Sequence, residues 1–309
     1  MNFLSSCKRE KRLSLVDQID PSCLLLYTMS LVFFVFILCP LSCHERSLAP
    51  SSSGLTAIQN QRSDWINYQD WSFTLQQVVL DQGVDYLLLK QGEARRALDR
   101  FIKQLADPIP TGSSREARLA FWINAYNAMV LSHVLDFPEI SSVSTAVANA
   151  PRYQFFKQQL VVVAGKKRSL DEIEHQILRP IFKDPRVHFA INCASRSCPP
   201  LAAFPYLASQ VDDQLNQAVK NFLNTTQGLN MRGGDLYLSK LFQWFEDDFN
   251  QDMMRPQDMI GPDHQGIRSF LQKHLAEESW SRVKTARLFF QEYDWSLNRA
   301  VPNRSTHPH

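Results

Sequence analysis

The chain has 309 residues, of which 44% are hydrophobic and 21% are charged. This is the composition of a globular protein, with too few charges for a disordered chain and too many for a polytopic membrane protein. Its 33 basic residues nearly balance its 31 acidic residues, so we predict no nucleic-acid partner. The function therefore has to be inferred from local motifs.

The first 43 residues have the pattern of a signal peptide or a signal anchor. A basic cluster at residues 8–12 precedes a stretch without charge from Pro21 to Cys43. Positive charge before an apolar run keeps the N-terminus in the cytoplasm and sends the rest of the chain across the membrane. We therefore predict an exported protein that is either periplasmic or, if residues 1–43 are not cleaved, anchored in the membrane and facing outside the cytoplasm.

The remaining chain is predicted to form a single folded domain between two irregular segments. Residues 44–65 contain a run of serine, proline and glycine and are predicted to be a linker. Residues 66–298 are predicted to form the domain, and residues 299–309 a disordered tail. The fold class that we predict is α+β, a mostly helical single domain with a small sheet, preceded by the N-terminal signal or anchor segment.

Helices are predicted where apolar residues recur at spacings of three and four. They cover residues 93–105, 170–179, 207–222, 241–249 and 266–275, and a central helix begins near Ser113. Ser113 with Glu116, and Ser169 with Glu172, have the spacing of a capping box, and Pro180 is expected to end the second of these helices. The central helix is apolar on nearly all faces, and Asn124 and Asn127 lie one turn apart on it.

Strands are predicted at residues 159–164, 186–192 and 235–239. In the segment 186–192, alternation places Val187, Phe189 and Ile191 on one face and His188, Ala190 and Asn192 on the other. This segment leads directly into a loop that contains Cys193 and Cys198 and ends at Pro199-Pro200. The histidine and the two cysteines are thus predicted to lie at one end of a strand.

Several blocks of the sequence resemble, in order, those of the domain-of-unknown-function family 547. The blocks are Ala120–Asn127, Leu170–His175, His188–Leu201, Leu241–Phe245 with Asp247–Phe249, and Tyr293–Asn298. The resemblance extends from about Trp71 to Asn298. It implies membership of a family without an agreed activity, so it assigns no functional residues to this chain.

Cys193 and Cys198 are the main candidates for chemistry, because the other four cysteines lie within the first 43 residues. Cys193 could be a nucleophilic thiolate, since nearby Arg196 and a histidine would lower the pKa of its thiol. Alternatively, the two cysteines could form a structural disulfide in an oxidising compartment, or a redox-active pair. The sequence leaves these alternatives open.

The candidate bases and polarising groups come from the neighbouring motifs. His188 or His175 could act as a general base for Cys193 if the side chains meet. Asn124 or Asn192 could polarise a substrate carbonyl, as amide side chains can. The alternative is structural, because a buried histidine or asparagine needs hydrogen-bond partners in any case.

The leading hypothesis is an uncharacterised exported domain with a cysteine–histidine pocket that carries out thiol-dependent hydrolysis or acyl transfer. Its catalytic residues would be Cys193, His188, His175 and Asn124, acting on a small-molecule or peptide ligand. The alternative is a non-catalytic binding module pinned by a Cys193–Cys198 disulfide. A zinc site formed by both histidines and both cysteines was considered, but the spacing matches no familiar zinc finger. We therefore predict no metal and no cofactor.

Overall fold

A computed structural model describes residues 64–81, 83–137, 139–146, 151–158, 161–251 and 264–300. The predicted signal or anchor segment, nearly all of the predicted linker and most of the predicted tail lie outside the described residues. No helix in the described ranges combines the length and the apolar character needed to cross a membrane.

The described part of the chain is mostly helical, as predicted. Its α-helices are α1 (Gln69–Val78), α2 (Tyr86–Leu89), α3 (Gly92–Gln104), α4 (Arg115–Asp136), α5 (Gln154–Lys157), α6 (Leu170–Glu172), α7 (Val211–Leu223), α8 (Lys240–Trp244), α9 (Glu246–Asn250), α10 (Gln265–His274) and α11 (Glu277–Val283). A π-helix, Ile173–Phe182, continues α6, and 3-10 helices occur at Val143–Thr145 and Pro185–Phe189.

The strands are short and form small sheets, in agreement with the predicted α+β class. They are β1 (Val79–Leu80), β2 (Gly83–Val84), β3 (Val161–Val163), β4 (Lys166–Arg168), β5 (Leu229–Arg232), β6 (Asp235–Leu238) and β7 (Leu288–Phe290). β1 pairs with β2 and β3 with β4, both antiparallel. β6 is the central strand of the third sheet, antiparallel to β5 and parallel to β7.

Helix α4 lies at the centre of the larger of two hydrophobic clusters. Its 22 residues include buried side chains on every face, among them Phe121, Tyr126 and Met129. The smaller cluster is formed by α7, the third sheet and the helices α8 to α10, with Phe242 and Phe270 among its buried side chains. Buried apolar surface is the main favourable contribution to folding. The two clusters therefore hold their helices and strands in place, and with them the loops that connect these elements.

The segment 186–192 is not a strand, and this prediction was wrong. Residues 185–189 form a 3-10 helix that begins with Pro185, and the side chain of Asp184 accepts a hydrogen bond from the backbone of Arg186. Val187 packs in the larger cluster and Phe189 in the smaller one. The apolar residues alternate because this turn contributes to two clusters, and not because one face of a strand is buried.

Two helix boundaries also differ from the prediction. Pro180 does not end its helix, because the chain continues as a π-helix to Phe182, and the wider π-helical turn accommodates a residue that lacks a backbone N–H. The predicted capping box at Ser169 and Glu172 is confirmed. The cap of α4 is Ser114 and not Ser113, whose hydroxyl donates to the carbonyl oxygen of Pro110 instead.

Candidate functional site

The loop from Cys193 to Cys198 is attached to the central helix by asparagine side chains. The side-chain oxygen of Asn127 accepts a hydrogen bond from the backbone N–H of Asn192 at 2.8 Å. The amide nitrogen of Asn127 donates to the carbonyl oxygen of Ala190 at 2.9 Å. Both groups of this buried side chain are therefore used to hold the chain just before the loop.

Asn192 holds the loop itself. Its Nδ2 donates to the carbonyl oxygen of Pro199 at 2.7 Å, and its Oδ1 accepts from the backbone N–H of Ala194 at 2.9 Å. Ala194 has a φ of 60°, a left-handed conformation that is unfavourable for a residue with a Cβ atom. The asparagine thus stabilises a strained backbone between the two cysteines, and such strain is often found at functional sites.

The opposite side of the loop is covered by residues 293–298, from the C-terminal end of the domain. Ser195 and Leu297 form an isolated antiparallel bridge. The backbone N–H of Arg196 donates to the carbonyl oxygen of Ser296 at 2.9 Å. This pairing brings Tyr293 to the thiol of Cys193 although the two residues are 100 positions apart in the sequence.

Cys193 is a half-buried free thiol with hydroxyl groups around its sulfur. The Sγ atom lies 2.9 Å from Oγ of Ser195 and 3.2 Å from the phenol oxygen of Tyr293. Burial raises the pKa of the Cys193 thiol, but the hydrogen bonds from Cys198, Ser195 and Tyr293 outweigh burial and lower it to about 7. The lowered pKa favours the thiolate form of Cys193 relative to an ordinary cysteine.

Cys198 is also a free thiol, but its environment is different. Only 8% of the residue is exposed. Its sulfur accepts a hydrogen bond from the backbone N–H of Cys193 at 2.9 Å. Burial and the neighbouring Cys193 raise the pKa of the Cys198 thiol well above its usual value. The structural disulfide considered from the sequence is not formed in this structure.

Two partly exposed tryptophan side chains contact the ring of Tyr293. The ring of Tyr293 packs against Trp244 and Trp295, with centroid separations of 4.8 and 4.5 Å.

The buried hydroxyl of Tyr126 donates to Glu174 at 3.2 Å. Burial, together with the charges of Glu174 and Cys193, raises the pKa of Tyr126 well above its usual value. This tyrosine remains protonated and lies close to both charged groups.

The two candidate histidines belong to one polar network, in which Arg179 and Asp248 lie between them. Nε2 of buried His188 lies 2.7 Å from Oδ2 of Asp248, and the imidazole stacks on Phe245 with a centroid separation of 4.0 Å. Arg179 contacts the same carboxylate at 2.6 Å and Nδ1 of His175 at 2.9 Å. Among the described contacts of Cys193, neither histidine is a hydrogen-bond partner, so their role as its base remains a prediction.

Asn124 is occupied by structural contacts within the larger hydrophobic cluster. Its Oδ1 accepts hydrogen bonds from the indole N–H of Trp71 and from the backbone N–H of Tyr206, both at 3.0 Å. Its Nδ2 donates to the carbonyl oxygen of Tyr206 at 2.7 Å. These contacts favour the structural alternative for Asn124 over the polarising role predicted from the sequence.

Three side chains that define the site were not predicted from the sequence. Ser195 and Tyr293 surround the Cys193 sulfur, and Asp248 joins His188 to Arg179. Each of the three lies in a sequence block that resembles family 547, and its place in that block could have identified it as a candidate. Only the fold shows which of these blocks come into contact.

A small polar cavity is lined in part by Tyr293, whose phenol oxygen contacts the Cys193 sulfur. Its volume is about 140 Å³, and its lining includes Ser197, Asn230, Arg232, Lys240, Glu292 and Tyr293. The Arg232 side chain contacts Gln291 and Tyr237. The cavity therefore presents cationic groups near the candidate nucleophile. Within the described ranges, no group of three or more histidine, cysteine and carboxylate side chains could hold a metal ion.

Comparison with known proteins gives one family. The family model described as "Protein of unknown function, DUF547" matches residues 110–223, which confirms the resemblance over the central helix and the cysteine loop. No curated protein and no solved structure is significantly similar to the chain.

Proposed function

We propose a function from the site itself: thiol-dependent acyl transfer or hydrolysis with Cys193 as the nucleophile. The family model that matches residues 110–223 is described without an activity and does not assign one. The observation that carries this proposal is the surroundings of the sulfur. The sulfur of a half-buried thiol lies within hydrogen-bond distance of the Ser195 and Tyr293 hydroxyls, and its pKa is lowered to about 7. A thiolate at neutral pH is the reactive form of a cysteine nucleophile.

The lowered pKa explains how Cys193 could react without a histidine in direct contact. The thiolate attacks the acyl carbon and forms a thioester as the leaving group departs. Tyr293 lies within hydrogen-bond distance of the sulfur, and burial raises the pKa of its phenol well above the usual value. The protonated phenol can therefore donate its proton to the leaving alcohol or amine. Water or a second acceptor then attacks the thioester carbon and gives its proton to the Tyr293 phenolate, and the Cys193 thiolate leaves as the acyl product is released.

The cavity beside Tyr293 supports a choice of substrate class. Lys240 and Arg232 supply positive charge, opposed by Glu292, and amide and hydroxyl groups complete the lining. Charged and polar groups that converge in a small concave site fix the orientation of a ligand. We therefore propose an acyl substrate that carries a carboxylate, with the carboxylate in the cavity and the acyl carbon at Cys193.

Acylation by an activated ester tests the proposal. With p-nitrophenyl acetate, the native protein is expected to release a burst of nitrophenolate and to carry an acetyl group on Cys193, located by peptide mass spectrometry. The Cys193→Ser variant should give no burst, whereas Cys198→Ser should retain it. Acetylation of Cys193 only after unfolding in urea would contradict the proposal.

The non-catalytic binding module remains the second candidate, and the polar cavity is the observation in its favour. In that case, the asparagine contacts would hold the loop in place of the disulfide predicted from the sequence. Ligand binding that is unchanged in Cys193→Ser, without acylation of the native protein, would support this alternative. The export predicted from residues 1–43 remains part of the proposal, because those residues lie outside the described part of the chain.

A further inference from the structure

We infer that Cys193 and Cys198 form a dithiol pair that reduces a disulfide substrate, with Cys193 as the attacking thiol and Cys198 as the resolving thiol. This inference rests on the reactive Cys193 of the proposed function but adds a second activity and a role for Cys198. The substrate class is the disulfide of a small thiol or of an exposed cysteine pair.

The two cysteines are in direct contact. The backbone N–H of Cys193 donates to Sγ of Cys198 at 2.9 Å, and the two side chains hydrogen-bond to each other. Both thiols are free and both belong to one tight loop. The backbone N–H of Cys198 also donates to the carbonyl oxygen of Ser195, which folds the loop back on itself. The resolving sulfur is thus held next to the residue that it must reach.

The two cysteines differ in exposure. Cys193 is partly exposed, whereas only 8% of Cys198 is exposed. A disulfide substrate in solution therefore meets Cys193 first. Cys198 is shielded from the substrate but lies next to Cys193. Cys193 therefore attacks the substrate, and Cys198 then resolves the mixed disulfide.

Electrostatics favours one order of the steps. Burial raises the pKa of the Cys198 thiol, and the hydrogen bond with Cys193 and the charge on Cys193 raise it further. When Cys193 forms a mixed disulfide, that negative charge disappears. Cys198 then loses its proton more readily, so the resolving thiol is activated only after the substrate has been bound covalently.

The reaction balances with the substrate disulfide as the oxidant. The Cys193 thiolate attacks one sulfur of the substrate, the substrate S–S bond breaks, and one substrate thiolate leaves. Cys198 then transfers its proton to the second substrate sulfur as its own sulfur attacks Sγ of Cys193. The protein dithiol is oxidised to a Cys193–Cys198 disulfide, and the substrate disulfide is reduced to two thiols.

Oxidised glutathione tests the inference on the native wild-type protein. We expect a Cys193–Cys198 disulfide, detected by peptide mass spectrometry as the loss of two hydrogens without a glutathione adduct, and the release of two reduced glutathiones per protein. Wild-type protein that accumulates glutathione on Cys193, or that does not react, would overturn the inference.

Variants identify the roles of the two sulfurs. Cys198→Ser and Cys198→Ala should each retain one glutathione on Cys193, because the resolving step is lost, and Cys193→Ser should not react in the native state. Circular dichroism checks that each variant is folded.

Acetylation of Cys193 by p-nitrophenyl acetate distinguishes the proposed acyl transfer from the proposed disulfide reduction. Acetylation without formation of the internal disulfide contradicts only the dithiol inference. Failure of both reactions contradicts Cys193 as a nucleophile as well.

Discussion

His188 and Asp248 form a buried contact of 2.7 Å between the imidazole Nε2 and the carboxylate Oδ2. Because Arg179 binds the same carboxylate at 2.6 Å, the aspartate joins the π-helix, the 3-10 helix and α9. Only 1% of the His188 side chain and 13% of the Asp248 side chain are exposed. A charged group with so little access to water depends on its partners for its stability.

We expect Asp248→Asn to lower the free energy of unfolding by about 3 kcal/mol, because it leaves the partly buried Arg179 without its counter-charge. Urea denaturation measures this change. The adjacent and exposed Asp247 provides the control, and Asp247→Asn should change stability by less than about 0.5 kcal/mol. Equal effects of the two substitutions would show that the contact contributes little.

The same variant should alter the acid stability of the protein. Hydrogen bonds from His188 and Arg179 outweigh burial and lower the pKa of Asp248 to about 2. A carboxyl with a lowered folded-state pKa stabilises the fold above its ordinary pKa of about 4 and loses this contribution as the pH falls towards 2. The stability difference between wild type and Asp248→Asn should therefore shrink between about pH 4 and pH 2. A difference that is constant over this range would contradict the assignment.

Tyr293→Phe should raise the pKa of Cys193, because it removes a hydroxyl that donates to the thiolate. The rate of iodoacetamide labelling, measured against pH, should have its midpoint near 7 in wild type and at a higher pH in the variant. Tyr237→Phe is the matched control, since the Tyr237 ring stacks on Phe289 in the third sheet. A midpoint that does not move in Tyr293→Phe would remove the phenol from the explanation of the lowered pKa.

The cationic cavity predicts a preference for anionic reagents at Cys193. Relative to a small free thiol, Cys193 should react faster with iodoacetate than with the neutral iodoacetamide. Lys240→Met should reduce this preference, whereas Lys220→Met, on the exposed side of α7, should not. If Lys240→Met leaves the ratio of the two rates unchanged, the carboxylate does not bind in this cavity, although Cys193 could still be the nucleophile.

Asn127→Ala should destabilise the domain by about 3 kcal/mol, because the carbonyl of Ala190 and the N–H of Asn192 would lose their buried partner. Chemical denaturation measures this loss. Asn221→Ala removes an exposed amide and should have little effect. If the two substitutions have similar effects, water replaces the lost partner and the loop does not depend on Asn127.

The sequence predicted the elements that depend on local patterns. The predicted helix over residues 93–105 corresponds to α3, Gly92–Gln104, since its apolar positions form one stripe. The predicted strand at 235–239 corresponds to β6, and the capping box at Ser169 is present. In these segments the hydrophobic period and the turn residues decide the structure without help from distant parts of the chain.

The candidate site was predicted only in part, because its contacts are between distant residues. Cys193 follows from its position in the loop, but its partner Tyr293 is 100 residues away. The turn at 185–189 has the alternating pattern of a strand in the sequence, although its apolar residues belong to two separate clusters. His188 and Asp248 are likewise 60 residues apart. A pattern within one segment holds no information about which distant side chain completes a hydrogen bond.

The pairing of the cysteine loop with residues 293–298 also determines when the site forms during synthesis. The ribosome releases the loop about 100 residues before Tyr293, and chains emerge at about 5–20 residues per second. For several seconds, Cys193 is therefore present without the phenol that stabilises its thiolate and without the Ser195–Leu297 bridge that covers the loop. A nascent chain would pass through this interval with an ordinary, weakly acidic thiol, and the reactive cysteine would exist only after the C-terminal end of the domain has docked.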